Sequence, residues 1–226
     1  MVSVKICGLT SESDLESAIR AGADRVGFVL VPTSPRYVEK SRVTLMANKA
    51  YHMEYAPDRW VDVWVVANWS RSGGPHTARL DEMVGKLPDI AAVQLHGKET
   101  PQDVADFKAL VPRVTVVKAI GVATRDDLER VKDFTAADMF LLDAKPPPDA
   151  DREGGFGKPF DWSILQGFDP GKPWVLSGGL TPENVAEAIR ISGAKAVDVS
   201  SGVERAPGVK DAAKVKAFIE AAKGAG

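Results

Sequence analysis

The chain has 226 residues, 44% of them hydrophobic, and a formal net charge of −2 at pH 7. This length supports a large buried core, and a single domain over residues 1–226 is the simplest expectation. The nearly balanced charge gives no indication of a nucleic-acid or membrane-surface partner. A single cysteine excludes an internal disulfide framework and favours a reducing, cytoplasmic location. No charged segment followed by a long apolar run is present near Met1, so we expect neither a secretory signal nor a membrane span.

Short apolar runs alternate with longer amphipathic segments along the whole chain. The apolar runs predict eight strands, at residues 2–6, 25–31, 61–67, 90–95, 114–120, 139–142, 174–176 and 196–199. Capping residues, prolines and apolar faces predict helices at 10–22, 39–55 and 76–84, from 100, at 124–131 and 160–165, from 181 and at 210–222. The strands are mostly continuous apolar runs, as is typical of parallel strands that are buried on both faces.

Eight strand–helix units without a break in composition predict an eight-stranded parallel (β/α)8 barrel, the TIM-barrel fold. An open, doubly wound sheet is the alternative, but no Gly-x-Gly-x-x-Gly motif follows the first strand. The least regular stretch, residues 144–158, contains three consecutive prolines and Gly154-Gly155-Phe156-Gly157. We interpret it as a long functional loop, with a disordered surface insert as the other interpretation.

Polar residues at the carboxyl ends of the strands are the candidates for chemistry, because the active sites of such barrels lie there. They are Cys7, Arg36, His96, Asp143 and Asp198. Each has a purely structural alternative. A free cysteine is more often an inert core residue, and Arg36 can be a solvated loop residue. Asp143 can pair with Lys145, and His96 can simply end a strand.

Small residues follow the last two strands, where this fold usually binds phosphate. Gly178 and Gly179 follow strand seven, and Ser200, Ser201 and Gly202 follow strand eight. Glycine lets backbone N–H groups approach an anion closely, although a tight turn alone is the other interpretation. The histidines and the cysteine have no recognisable metal-ligand spacing, and neither a Walker-type loop nor a dinucleotide fingerprint is present. We therefore expect acid–base chemistry on a phosphorylated small molecule, without metal or cofactor.

Several segments then match a known family in order. They are Lys5-Ile6-Cys7-Gly8-Leu9-Thr10, Gly27-Phe28-Val29, Ser34-Pro35-Arg36-Tyr37-Val38, Val93-Gln94-Leu95-His96-Gly97, Leu142-Asp143, Gly154-Gly155-Phe156-Gly157, Phe160-Asp161-Trp162, Ser177-Gly178-Gly179-Leu180-Thr181-Pro182-Glu183-Asn184, Asp198-Val199-Ser200-Ser201-Gly202-Val203-Glu204, Pro207-Gly208 and Lys210-Asp211. On these segments the chain resembles the phosphoribosylanthranilate isomerases of tryptophan biosynthesis over nearly its whole length.

The resemblance implies an Amadori rearrangement of an aminoaldose to an aminoketose. It implies Cys7 as general base, Asp143 as general acid and Arg36 as the group that holds the anthranilate carboxylate. We add Lys5, His96 and Asp198 to the expected substrate-binding residues, and Gly155 and Gly157 to the expected phosphate-binding residues. Strand alternation puts Lys5 on the same side as Cys7, where we expect its charge to lower the pKa of the thiol.

The segment around Phe156 departs from the family pattern, which usually has threonine between these glycines. An isomerase of histidine biosynthesis, or an enzyme acting on both substrates, is the alternative function. By resemblance, those enzymes use two aspartates, one of which takes the place of the base on strand one. The presence of Cys7 at that position argues against them. A phosphate-binding barrel without catalysis is a third possibility, opposed by the presence of both Cys7 and Asp143. We expect a monomer, with a homodimer as the alternative, and no protein partner.

Overall fold

Eight parallel strands close into one barrel in the computed structural model, which describes residues 1–53, 60–70, 84, 90–145 and 159–226. The strands are β1 (Ser3–Cys7), β2 (Arg25–Val29), β3 (Asp62–Ala67), β4 (Ile90–Leu95), β5 (Thr115–Val122), β6 (Met139–Ala144), β7 (Trp174–Leu176) and β8 (Ala196–Val199). They are hydrogen-bonded in chain order, and β8 returns to pair with β1. The predicted parallel barrel is therefore confirmed.

Helical segments connect most of the strands. The α-helices in the described part of the chain are α1 (Glu12–Ala21), α2 (Lys40–His52), α3 (Pro101–Leu110), α4 (Val185–Ser192) and α5 (Ala212–Gly224). Segments of 3₁₀-helix are Arg125–Asp133, Trp162–Leu165 and Ser201–Val203. Val84 is helical and buried, while the rest of the helix predicted at 76–84 lies outside the described residues, as do residues 146–158 of the predicted loop. No helix within the described ranges is long and apolar enough to cross a membrane.

Strand pairing places β1 at the point where the barrel closes. Lys5 lies opposite Asp198 in β8, and Cys7 lies opposite Gly27 in β2. Because side chains alternate along a strand, Lys5 and Cys7 share the inner face of the barrel, whereas Val4 and Ile6 face the helices. The register therefore brings a lysine and an aspartate together inside the barrel.

Hydrophobic side chains pack on both faces of the strands, in an inner and an outer layer. The inner layer fills the barrel and consists of Trp64, Ala92, Val117, Ala119, Leu141, Val175 and Ala196. The outer layer joins the strands to the helices and contains residues such as Val4, Ile6 and Phe218. The last helix, α5, packs against α1, α4 and β1, so the end of the described chain covers its beginning.

Local capping explains several helix ends. The Ser11 side chain accepts a hydrogen bond from the Asp14 N–H, and Gly22 ends α1 with a left-handed φ of 103°. Thr100 and Asp103 form a reciprocal capping box at the start of α3. At the start of α5, the Asp211 carboxylate accepts hydrogen bonds from two backbone N–H groups, so this helix begins after Lys210 rather than at it.

Some predicted boundaries are wrong. Strand β2 ends at Val29 rather than residue 31, because the chain enters the turns at residues 32–36 and folds back so that Tyr37 bridges to Val29. The segment after Thr124 is 3₁₀-helix, where its buried Leu128 and Val131, three residues apart, share a face. A small hairpin, β9 (Glu204–Ala206) with β10 (Val209–Lys210), was not predicted.

Candidate active site

A cleft with a volume of about 340 Å³ opens at the carboxyl ends of the barrel strands. Most of the predicted site residues line it together: Cys7, Arg36, His96, Asp143, Gly178, Gly179, Asp198, Ser200, Ser201 and Gly202. Lys5 lies fully buried beneath this cleft. Gly155 and Gly157 lie outside the described residues. Cys7 and Gly178, which are 171 positions apart in the chain, therefore meet in one cavity, as the barrel topology requires.

Cys7 is the last residue of β1 and is 6% exposed at the floor of the cleft. Gly27, opposite it in β2, leaves room for the sulfur, since a Cβ there would lie 2.9 Å from Sγ. The chain then turns at Gly8, whose φ is 73° and whose missing side chain accommodates the stem of Arg36. Two glycines thus allow a thiol and a guanidinium to share one end of the barrel.

Opposing charges act on the Cys7 thiol. Burial raises its pKa above the ordinary value for a cysteine, and the negative charge of Asp198 raises it further. The nearby ammonium groups of Lys5 and Lys210 lower it, and burial prevails. The expected effect of Lys5 therefore has the right sign, but the net shift of the thiol pKa is upward.

The buried Lys5 ammonium has two hydrogen-bond acceptors. Its Nζ donates to Asp198 Oδ1 and to Gln94 Oε1, each at 2.9 Å, and its charge interacts with the nearby Cys7 thiol. Burial opposes the charged form, but Asp198 and Cys7 outweigh burial and raise the pKa of Lys5. The amine also lies 5.1 Å from the centre of the Trp64 ring. Lys5 is therefore a permanent positive charge below the cleft.

Asp143 and His96 form a pair on the opposite wall. His96 Nε2 lies 3.2 Å from Asp143 Oδ2, and the Gln94 amide nitrogen lies 2.7 Å from His96 Nδ1. Gln94 is nearly fully buried and received no role from the sequence. Its signal was a polar residue inside the otherwise apolar run Ile90–Leu95.

Arg36 is held by Glu204, an acidic residue to which the sequence assigns no role. Its Nε and Nη2 donate to the two oxygens of Glu204, at 2.8 and 2.7 Å. Lys210 Nζ donates to the same carboxylate at 2.8 Å. Burial raises the pKa of Glu204, but the bonds and charges of Arg36 and Lys210 outweigh it, so the pKa is lowered. The side-on pairing leaves Nη1 of Arg36 free of Glu204.

The two short turns after β7 and β8 are built around small residues. Gly178 and Gly179 have φ values of 87° and 67°, which few other residues adopt. A Cβ on Gly202 would lie 1.9 Å from the Leu180 carbonyl oxygen, so the turns pack closely against each other. Lys210 Nζ donates to the Ser200 carbonyl at 3.0 Å and brings positive charge below them. These features suit an anion.

The fold and cleft define a (β/α)8-barrel enzyme in which a thiol, a carboxyl group and two glycine-containing turns meet at the carboxyl ends of the strands. A family model described as N-(5'phosphoribosyl)anthranilate (PRA) isomerase matches residues 4–221. The chain belongs to this family. The expectation of an isomerase of tryptophan biosynthesis is thereby confirmed.

Known relatives match over almost their full length. The N-(5'-phosphoribosyl)anthranilate isomerase of Paracoccus denitrificans is 48% identical over 219 residues, covering 96% of this chain and 95% of that protein. The phosphoribosyl anthranilate isomerase structure from Thermotoga maritima has 38% identity and a TM-score of 0.82, covering 99% of this chain and 100% of that one. A further structure, of such an isomerase in complex with reduced 1-(o-carboxyphenylamino)-1-deoxyribulose 5-phosphate, has 35% identity, a TM-score of 0.79 and the same coverage.

Proposed function

We propose that residues 1–226 form one isomerase domain that converts N-(5'-phosphoribosyl)anthranilate into 1-(2-carboxyphenylamino)-1-deoxyribulose 5-phosphate by an Amadori rearrangement. The observation that carries this proposal is that Cys7 and Asp143 line the same cleft as the turns after β7 and β8. A thiol and a carboxyl group, set on different strands, can then act on one phosphorylated sugar. The relative bound to a reduced form of the product supports this choice of substrate.

The two ends of the substrate have complementary groups in the cleft. The phosphate binds the backbone N–H groups of Gly178, Gly179 and Gly202, with hydroxyl groups from Ser200 and Ser201. The anthranilate carboxylate binds the Nη1 side of Arg36, because Glu204 occupies the Nε side. His96 and Asp198 lie beside the ribose between these ends, and Lys5 acts on it from beneath the cleft through Asp198. Gly155 and Gly157, which lie outside the described residues, add further contacts to the phosphate.

The reaction needs an acid first and a base second. Asp143 gives its proton to the furanose ring oxygen, and the bond between this oxygen and C1' breaks to leave a protonated Schiff base. The Cys7 thiolate then removes the proton from C2'. The electron pair of that C–H bond forms a C1'–C2' double bond, and the iminium nitrogen becomes neutral. The resulting enolamine gains a proton at C1' and loses the one on the C2' hydroxyl, which gives the ketone.

Cys7 acts in this scheme as thiolate, the form that accepts a proton. Its raised pKa reduces the thiolate fraction at neutral pH, yet makes each thiolate a stronger base. Lys5 and Lys210 offset part of the burial effect on the pKa, so the two lysines keep the thiolate accessible.

The proposal is tested by generating phosphoribosylanthranilate in situ and following the loss of its anthranilate fluorescence. We expect rapid loss with the wild type, and losses of about 10²–10⁴-fold in kcat for Cys7→Ala and Asp143→Asn, the usual worth of a general acid or base. Asp133→Asn, at an exposed aspartate, is the matched control and should keep full activity.

Two results would contradict the proposal. An inactive wild type would reject the substrate, and the aminoaldose of histidine biosynthesis would be assayed next under the same conditions. Near-full activity of both Cys7→Ala and Asp143→Asn would instead reject the assigned roles while leaving the substrate in place.

A further inference from the structure

Two hydrogen bonds and one close polar contact connect the buried ammonium of Lys5 to the carboxyl group of Asp143. Lys5 Nζ lies 2.9 Å from Gln94 Oε1, and Gln94 Nε2 lies 2.7 Å from His96 Nδ1. His96 Nε2 lies 3.2 Å from Asp143 Oδ2. The charge of Lys5 also acts on Cys7, so the groups proposed as base and acid lie at opposite ends of this series of contacts.

Both hydrogen bonds of Gln94 have a fixed direction. An ammonium has three donors and no acceptor, so the atom of Gln94 that faces Lys5 must be its carbonyl oxygen. The amide nitrogen then faces His96 and donates to Nδ1. A ring nitrogen that accepts a hydrogen bond carries no proton, so the proton of the neutral imidazole resides on Nε2. The protonated nitrogen is therefore the one that lies 3.2 Å from Asp143 Oδ2.

We propose that Gln94 and His96 are positioning residues, which together fix the neutral Nε2–H tautomer of His96 and thereby direct Oδ1 of Asp143 toward the substrate. Oδ2 lies beside the imidazole, whereas Oδ1 lies beside Gly178, where a Cβ would come within 2.8 Å of it. Gly178 lines the cleft. The oxygen that carries the transferred proton is therefore Oδ1. This inference rests on the proposed role of Asp143 as acid.

These contacts between Lys5 and Asp143 fix the orientation of the side chains rather than conducting protons. A carboxamide has no proton that it readily releases or gains near neutral pH, so Gln94 interrupts any relay between Lys5 and His96. Lys5 instead fixes the orientation of the Gln94 amide, because the carbonyl oxygen must face the donating ammonium. Nearly complete burial of Lys5 and Gln94 excludes water that could satisfy a reversed arrangement.

Nitrogen-15 NMR of the full, unliganded chain tests the tautomer directly. His96 signals are assigned by their loss in His96→Asn, against the other two histidines. We expect a pyridine-type Nδ1 and a pyrrole-type Nε2. In Gln94→Glu the carboxylate accepts from both neighbours, so Nδ1 gains a proton. A pyrrole-type Nδ1 in the wild type overturns the proposal, whatever the activity.

Kinetics give the second readout. We expect Gln94→Glu to lower kcat about 10-fold or more, below the 10²–10⁴-fold worth of the acid itself, with KM changed by less than about 2-fold. Gln166→Glu, an exposed glutamine, is the matched control. Unchanged kcat in Gln94→Glu would overturn the positioning role.

Substitutions at His96 keep the test decisive even where Gln94→Glu fails to fold, because this side chain is 24% exposed. The amide nitrogen of His96→Gln reaches the place of Nε2, whereas that of His96→Asn does not. We expect the kcat of His96→Gln to be at least about 5-fold higher than that of His96→Asn. Equal losses overturn the proposal. An inactive wild type with the expected tautomer would instead reject the proposed function alone.

Discussion

The charges around Cys7 show how single residues set the chemistry of the cleft. Lys5, Asp198 and Lys210 are the charged groups that act on the thiol, and they oppose one another. Removing one of them should shift the pKa of Cys7 in the direction given by its sign. Because Cys7 is the only cysteine, its alkylation by iodoacetamide reports its ionisation without reference to catalysis.

The alkylation rate of Cys7 should rise with pH as thiolate forms, with a midpoint above the ordinary thiol range. Lys5→Met removes a positive charge, so we expect the midpoint to move up by roughly 1–3 pH units. Asp198→Asn removes a negative charge, so the midpoint should move down. Lys216→Met, at an exposed lysine, is the control. Shifts of the same sign in both variants would contradict this electrostatic account.

The Arg36–Glu204 pair makes a separate prediction about substrate binding. A hydrogen bond to a charged group contributes about 1.5–3 kcal/mol, so Arg36→Ala should raise KM about 10–100-fold. Glu204→Gln keeps Arg36 but loses one of its anchoring bonds, so we expect a smaller rise of about 3–10-fold with kcat nearly unchanged. Arg205→Ala, at the exposed neighbour, should change neither constant. An unaltered KM in Arg36→Ala would remove its assigned role.

At the level of elements, the sequence predicts what depends on local pattern. Apolar runs and caps identify the eight strands and most helices, and the end of β1 identifies the position of Cys7. Contacts between distant segments are not visible in such patterns. Glu204 binds Arg36 from 168 residues away, and Gln94 binds Lys5 from 89 residues away. These partners become apparent only when strand order and register bring them together.

The turn after β7 packs closely against Asp143 and the end of β6. At Gly178 a Cβ would lie 2.2 Å from the Ala144 backbone nitrogen, whereas at Gly171 nothing lies within 4 Å. Both glycines have a positive φ, so Gly178→Ala and Gly171→Ala share a backbone cost of about 1–2 kcal/mol. Only Gly178→Ala should displace the end of β6.

We therefore expect Gly178→Ala to lower kcat/KM by at least about 10-fold, and Gly171→Ala to leave it within about 2-fold. Steady-state kinetics on the folded proteins, together with thermal unfolding of each, separates the effect on activity from the effect on stability. Comparable kinetics for the two alanine variants would show that the close approach at Gly178 does not position Asp143.

Across the whole molecule, stability and chemistry have different locations. The outer hydrophobic layer packs the helices onto the strands, whereas the polar network lies inside the carboxyl end of the barrel. In α5, Phe218 is fully buried in the outer layer, and Lys216 on the same helix is 69% exposed. The helix packs against β1, yet it contributes no side chain to the lining of the cleft.

Phe218→Ala should therefore destabilise the fold without altering the site. Truncating a buried phenylalanine costs about 3–5 kcal/mol, which corresponds to a fall in Tm of roughly 6–20 °C for a chain of this size. The free energy of unfolding of a typical domain is about 5–15 kcal/mol, so the variant should remain folded at low temperature. Its KM should then lie within about 2-fold of the wild-type value. Lys216→Ala should shift Tm by less than about 2 °C. A large rise in KM for Phe218→Ala at low temperature would show instead that the packing of α5 is transmitted through β1 to Cys7.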